Sequence, residues 1–135
     1  MKLTKTTPSL VVLLFAIGNS SAIAHHSFVA QFDPAKPITL RGTVAKVTWS
    51  NPHAHFTIVV RDANGSISNW EAELGSPNTL IRYGWKRDTM KIGDEVAVDG
   101  YMARNGSSVI NAKSVKMPDG AIVNAGSSFV QTDSK

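Results

Sequence analysis

The sequence predicts a small, mostly β domain, a five-stranded Greek-key barrel with one short helix. Several segments alternate apolar and polar residues with the period of two that is typical of strands. A single helix signal follows the third of these segments. The Asn105–Gly106 pair, between two later segments, is typical of a tight hairpin. Together these observations predict the order β-β-β-α-β-β.

The first three strands are predicted in the first half of the domain. Apolar residues of the first strand, which begins at Ile38, change face partway along it, and this indicates a bulge or bend with Gly42 as a candidate pivot. The second strand is predicted from about residue 53 to 61 and the third from 66 to 74. Residues 62–65 end in a glycine and predict the turn between them.

The helix is predicted from its end signals. Ser76 is a suitable N-cap, and Pro77 fits the first helical position because its missing N–H is not needed there. Gly84 suits the left-handed conformation that often follows a helix.

Two more strands complete the predicted domain. They run from Glu95 to Ala103 and from about residue 107 to 117, and a last extended piece covers residues 121–123. Five strands with a helix between the third and the fourth are the order of an OB-fold. A small β-sandwich or a split barrel of another type is the alternative.

The chain begins with the pattern of a secretory signal peptide, residues 1–24. Two lysines precede the apolar run Leu10–Ile17, and Ala22-Ile23-Ala24 is a small-x-small cleavage site. The apolar run is shorter than the roughly 20 residues needed to cross a bilayer. We therefore expect an exported, periplasmic or secreted protein that begins at His25 and has no membrane span once the signal is removed.

The mature chain is divided into three parts. Residues 25–37 are predicted as an extended arm, because Pro34 and Pro37 disfavour helix. Residues 38–123 form the barrel, and residues 124–135 are small and polar and are predicted as a flexible tail.

Charge and cysteine content restrict the possible partners. Residues 1–24 contain two lysines and no acid, so their removal lowers the formal charge from +4 to +2. Such a charge, without a basic run, gives little support to a nucleic-acid partner, and export makes one less expected still. The chain has no cysteine, so a metal site would use nitrogen and oxygen ligands.

The histidines are the most informative residues for function. His25 and His26 would form the mature amino terminus, and His53 and His55 lie two positions apart after Asn51-Pro52. An amino-terminal histidine offers a free amine and a ring nitrogen that can chelate one ion. One further imidazole completes the arrangement known as a histidine brace, which suits Cu(II), while Zn(II) would accept the same ligands.

A second set of residues suggests a different function. Trp85, Tyr83 and Arg87 could form a cationic, aromatic ligand groove, as OB-folds bind ligands on aromatic side chains. Glu71 and Glu73 share a strand face but are expected to be solvated. The common catalytic signatures are missing from the sequence, so binding is favoured over catalysis. A copper-dependent oxidoreductase is a third and weaker interpretation.

The chain also resembles a known family. The residues that carry the resemblance are His25-His26-Ser27-Phe28, Phe32-Asp33-Pro34-Ala35-Lys36-Pro37, Gly42-Thr43-Val44, Trp49-Ser50-Asn51-Pro52-His53, Gly84-Trp85, Gly93-Asp94 and Pro118-Asp119-Gly120. They are similar to a family of small exported bacterial proteins of unknown function that begin near His-His-Ser-Phe and carry Asn-Pro-His. The resemblance implies an exported OB-like barrel, implies no activity, and gives His53 more weight than His55.

These observations predict an exported protein that binds a metal ion, with a role in binding, delivery or stress protection. Copper is the expected ion and zinc the alternative, with His25 and His53 as ligands and His26 or His55 assisting. The competing interpretation is a non-enzymatic module that binds a small-molecule ligand or an unidentified protein through its groove, with incidental histidines.

Overall fold

The computed structural model describes residues 28–127 and residue 129. These residues form one sheet and a short helix, and residues 28–31 are also helical. The strands are β1 (Phe32–Thr48), β2 (His55–Arg61), β3 (Ile67–Glu73), β4 (Glu95–Ala103), β5 (Val109–Lys116) and β6 (Ile122–Asn124), and the helix between β3 and β4 is Pro77–Arg82. The predicted mostly β fold with a short helix is confirmed, and β6 corresponds to the last extended piece, predicted at residues 121–123.

The strands pair in the order β3-β2-β1-β4-β5-β6. These neighbours are antiparallel, and a parallel pairing of β3 with β5 closes the first five strands into a ring. β1 makes this closure possible because its later residues pair with β2 while its earlier residues pair with β4. The residues between β3 and β5 supply the crossover that a parallel pair needs, and they include the helix and β4.

The predicted irregularity in β1 is present, but Gly42 is not its centre. The register with β2 shifts between Val44 and Lys46, which places the extra residue at Ala45. Gly42 has a different role, because a Cβ atom there would lie 2.4 Å from the carbonyl oxygen of Val59. The glycine therefore allows close approach of β1 and β2, and the bulge three positions later changes the buried face.

The predicted arm is partly a strand. β1 begins at Phe32 rather than at Ile38, so residues expected to be an extended arm belong to the sheet. Phe32 pairs with Ala103 and Pro37 with Tyr101, with an irregularity between the two pairs. The prolines are tolerated because a disturbed ladder does not need a hydrogen bond from every residue.

The hydrophobic core lies within the ring. Strand alternation and the inward face of the helix predict twelve core residues from the sequence. Ten of them are buried, namely Val44, Phe56, Ile58, Val60, Leu74, Leu80, Val96, Val98, Ile110 and Val115. Val47 and Trp70, also predicted for the core, are partly buried and pack against it. A second cluster forms where Phe28 and Phe32 pack against Ala103, with Tyr101 and Phe129 beside them. This cluster fixes the start of the described chain to β4.

The helix has the predicted ends. The Ser76 hydroxyl accepts a hydrogen bond from the Thr79 N–H at 3.2 Å, and Pro77 occupies the first turn. Gly84 has a φ of 88°, the left-handed conformation expected of a residue after a helix. None of the helices in residues 28–127 is long and apolar enough to cross a membrane.

The beginning of the predicted flexible tail is part of the fold. Asn124 ends β6, and Ala125 and Ser127 are buried. Backbone hydrogen bonds join Gly75 N–H to the Ala125 carbonyl at 2.8 Å and Ala125 N–H to the Lys113 carbonyl at 3.0 Å. Small residues are therefore needed here, because the backbone of Ala125 and Gly126 lies close to Gly75 and is bonded to β5.

Candidate metal centre

The two internal histidines lie where β2 begins. His55 is the first residue of β2, whereas His53 precedes the strand, so the predicted start of β2 at His53 was two residues too early. Strand alternation buries Phe56 and leaves His55 on the other face, at the outside of the ring. In the register with β3, His55 is opposite Glu73, so the histidines and the β3 carboxylates share one surface.

His53 contacts a carboxylate that the fold holds in place. Its Nδ1 atom lies 3.2 Å from Glu73 Oε1, and the two side chains are 41% and 16% exposed. The same Oε1 atom accepts a hydrogen bond from Asn111 Nδ2 at 3.1 Å. Asn111 Oδ1 in turn accepts a hydrogen bond from the buried hydroxyl of Ser127. A polar chain thus runs from the buried tail to the partly exposed imidazole.

His55 has a looser contact of the same kind. Its Nδ1 atom lies 3.2 Å from Glu71 Oε1, and the Glu71 side chain is 53% exposed. The distance suits an ion pair, yet the buried Nδ1 makes no hydrogen bond to any residue that the structure describes. This contact is therefore electrostatic, and its carboxylate is more exposed than that of Glu73.

The polar chain borders a cavity that also touches the amino-terminal segment. Its volume is about 540 Å³, and Ala30, Gln31 and Phe32 line it together with Glu73 and Arg104. The carboxylate that contacts His53 and the first described residues of the chain therefore face the same space.

Arg104 holds this amino-terminal segment at three points. Its Nε donates a hydrogen bond to the Val29 carbonyl at 2.6 Å, and its backbone N–H donates to the Gln31 carbonyl at 2.9 Å. Its Nη2 atom lies 3.6 Å from Asp33 Oδ1. Because Phe28 is also buried, the chain just after the predicted amino terminus is fixed beside the cavity.

The predicted ligands are only partly within the described chain. His25 and His26, and the predicted cleavage site before them, lie outside the described residues. Within residues 28–127 and 129, no group of three or more histidine, cysteine, aspartate or glutamate residues is arranged to hold a metal ion. The described residues therefore supply two imidazole–carboxylate pairs, and a complete ligand set would need a donor from outside them.

The three residues predicted for the ligand groove do not all line one cavity. Trp85 is 3% exposed and belongs to the core, where its Nε1 donates a hydrogen bond to the Asn124 carbonyl at 2.7 Å. A cavity of about 520 Å³ lies over it and is lined by Trp85 and Arg87 but not by Tyr83. Trp49 and Lys86 also line this cavity, which therefore contains two of the three residues predicted for the groove.

Comparison with known protein families identifies the chain. The family model described as "Family of unknown function (DUF6152)" matches residues 13–111, more than half of the chain. The chain belongs to the DUF6152 family. No curated protein matches it. The DUF6152 match includes all four histidines, both β3 glutamates and Asn111, and it ends before Ser127.

Sequence reasoning missed several residues around the histidines of this DUF6152 protein. Asn111 and Ser127 could not be linked to His53, because a polar residue in a strand or a tail carries no local signal of its distant partner. Arg104 follows β4 beside a hairpin signal and reads as an ordinary turn residue. The alternation of β3, which puts Glu71 and Glu73 on one face with the histidines, was the one available signal.

Proposed function

We propose that this DUF6152 protein is exported and binds a metal ion through a histidine brace. Its ligands are the amine and ring of His25 and the ring of His53, with His26 or His55 assisting. Cu(II) is the ion that these nitrogen donors suit best, and Zn(II) is the alternative. The proposed role is binding, delivery or protection against metal stress.

The contact between His53 and Glu73 is the observation that carries this proposal. Histidines that bind metals commonly use their second ring nitrogen to contact a carboxylate, which fixes the ring and its tautomer. His53 meets Glu73 through Nδ1 at 3.2 Å, which leaves Nε2 as the atom that can bind a metal. Asn111 fixes the carboxylate, so the imidazole is oriented before any ion arrives.

The anchored amino-terminal segment gives the proposal its second support. Phe28 is three residues after His25, and an extended chain covers at most about 10 Å over that interval. Residues 30–32 share a cavity with Glu73. A histidine three residues before Phe28 can therefore reach only a limited volume near this cavity. His53 contacts Glu73, which lines the same cavity.

The donor set itself favours copper. The described surface offers imidazole and carboxylate groups, and the chain contains no cysteine. When bound, a copper ion would supply Lewis acidity and one-electron chemistry. The chain's own residues bind and orient it: His53 supplies a neutral ring nitrogen, Glu73 holds that ring, and Arg104 positions the segment that leads to His25.

Metal analysis of protein exported with its own signal tests the proposal. We would recover the wild-type protein and a His53→Ala variant from the periplasm without added tags and measure copper and zinc per chain. Wild type should carry close to one ion and His53→Ala much less, with Lys91→Gln as an exposed control on another loop. Metal-free wild-type protein that also fails to bind added Cu(II) would refute the proposal and favour the ligand-binding alternative.

A further inference from the structure

A second cavity lies between the loop that begins at Trp49 and the short helix. We call it the Trp49 cavity, and the residues that define it here are Trp49, Pro77, Ile81, Trp85, Lys86 and Arg87. Its volume of about 520 Å³ falls within the range of small-molecule sites, roughly 300–1,000 Å³. No histidine is among its lining residues in the described chain, although Ser50, which also lines it, donates a hydrogen bond to the His53 carbonyl at 3.3 Å.

The charge around the Trp49 cavity has one sign. Lys86 and Arg87 line it, and no carboxylate does so among the described residues. Other cavities of the protein differ in this respect. Arg104 is accompanied by Glu73 in one of them, and Lys113 by Asp99 in another. A purely cationic lining beside two indole rings favours an anionic ligand with a flat apolar body.

Trp49 lines this cavity and also carries an unsatisfied donor. Its Nε1 atom is buried and has no hydrogen-bond partner among the described residues. The other two tryptophans are satisfied, Trp70 by the Ser68 hydroxyl at 3.2 Å and Trp85 by the Asn124 carbonyl at 2.7 Å. A buried donor without a partner is costly, and an acceptor atom on a ligand would relieve that cost.

The loop that carries the cations is already ordered. The Lys86 N–H donates to the Thr89 hydroxyl at 2.7 Å, and the Thr89 N–H donates to the Lys86 carbonyl at 3.1 Å. The Trp85 N–H is bonded to the Leu80 carbonyl at 3.0 Å, which joins this loop to the helix. Binding an anion here would therefore require ordering of two side chains and little change of the backbone.

We infer that the Trp49 cavity binds a small organic anion, an aromatic or similarly flat carboxylate. The carboxylate lies between Lys86 and Arg87 and also offers an acceptor to Trp49 Nε1, while the apolar body packs on the indole rings and on Pro77. Neither His53 nor His55 lines this site, and its ligand class is set by charge and shape.

Titration with 2-naphthoate, with neutral 2-naphthamide as the matched probe, tests this inference. Calorimetry should show that the acid binds roughly tenfold more tightly than the amide, the gain expected from charge-assisted hydrogen bonds. The double variant Lys86→Gln/Arg87→Gln should abolish that preference, and Lys91→Gln should keep it. The fold of each variant is checked by circular dichroism.

A nuclear magnetic resonance titration of the wild-type protein supplies a test that needs no altered cation. The indole N–H signal of Trp49, assigned by its loss in Trp49→Phe, should move with 2-naphthoate more than that of Trp70. Equal binding of acid and amide, an unmoved Trp49 signal, or the same loss in Lys91→Gln would overturn the inference. A concentration-dependent dimer that protects Trp49 without any probe would also overturn it and assign the cavity to a second copy of the chain.

Discussion

His53 and Glu73 meet through a single pair of atoms, His53 Nδ1 and Glu73 Oε1, which are 3.2 Å apart. The same carboxylate oxygen accepts the hydrogen bond of Asn111, so the ring is positioned from the sheet. His55 and Glu71 lie at the same distance, but the Glu71 side chain is more than half exposed. The two pairs therefore differ in how firmly the carboxylate is held, and this difference can be measured.

Glu73→Gln should weaken Cu(II) binding by about 10–100-fold, the usual effect of removing a carboxylate behind a histidine ligand. The amide oxygen can still accept from Asn111, so the fold should persist. Glu71→Gln is the matched control and should have a smaller effect, because its carboxylate is exposed and contacts only the assisting histidine. Calorimetric competition titrations measure both. Equal losses in the two variants would contradict the preference for His53.

Ile58→Ala should destabilise the protein by about 2–5 kcal/mol, because it opens a cavity in the core. Ile58 is completely buried, whereas Ile92 is 73% exposed. Ile92→Ala is the matched control and should change the free energy of unfolding by less than about 0.5 kcal/mol. Urea denaturation of both variants provides the comparison. Similar losses would mean that the second strand does not face the core as described.

The sequence specified the strands best where turn signals bounded them on both sides. β4 was predicted residue for residue, since a glycine turn at Gly93 and the Asn105–Gly106 pair enclose its alternation. The irregularity of β1 was harder to predict, because the sequence pattern indicates Gly42 as the position of the bend. Gly42 is instead required by the nearby Val59 carbonyl on the neighbouring strand, and no local sequence pattern predicts that contact.

The histidines of the candidate site could be recognised from the sequence, but the residues that contact and support them could not. His53 and His55 are conspicuous because the chain has so few histidines. Asn111 is 38 positions from Glu73, and Arg104 is 75 positions from Val29, so these contacts depend on the closed sheet. Trp85 was predicted to line a ligand groove, yet it is almost completely buried and its Nε1 donates a hydrogen bond to the Asn124 carbonyl, a contact that no local pattern predicts.

Arg104→Gln should loosen the amino-terminal segment and weaken metal binding. The variant removes the hydrogen bond from Nε to the Val29 carbonyl and the contact with Asp33. Arg104 is nearly half exposed, so the loss of stability should be at most about 1 kcal/mol. The backbone N–H of residue 104, which donates a hydrogen bond to the Gln31 carbonyl, should exchange its hydrogen faster in the variant. Unchanged exchange together with unchanged Cu(II) affinity would show that Arg104 does not position the amino-terminal segment for metal binding.

The exported protein should begin at His25. The small-x-small sequence Ala22-Ile23-Ala24 closes the predicted signal and sets this position. Intact-mass measurement of protein recovered from the periplasm gives the mature terminus directly. A chain that starts anywhere else would leave His25 without the free amine that the brace needs.

In the proposed histidine brace, the His25 amine and His53 bind one ion together. One alanine inserted before His25 keeps every imidazole and moves only the amine away from its chelate. Calorimetric Cu(II) titration of the mature wild type, this insertion variant and His53→Ala should show that both variants lose most of the affinity. Acid should weaken wild-type binding, because protons compete with the metal for the same nitrogens. Equal, weak binding by all three proteins would contradict the claim.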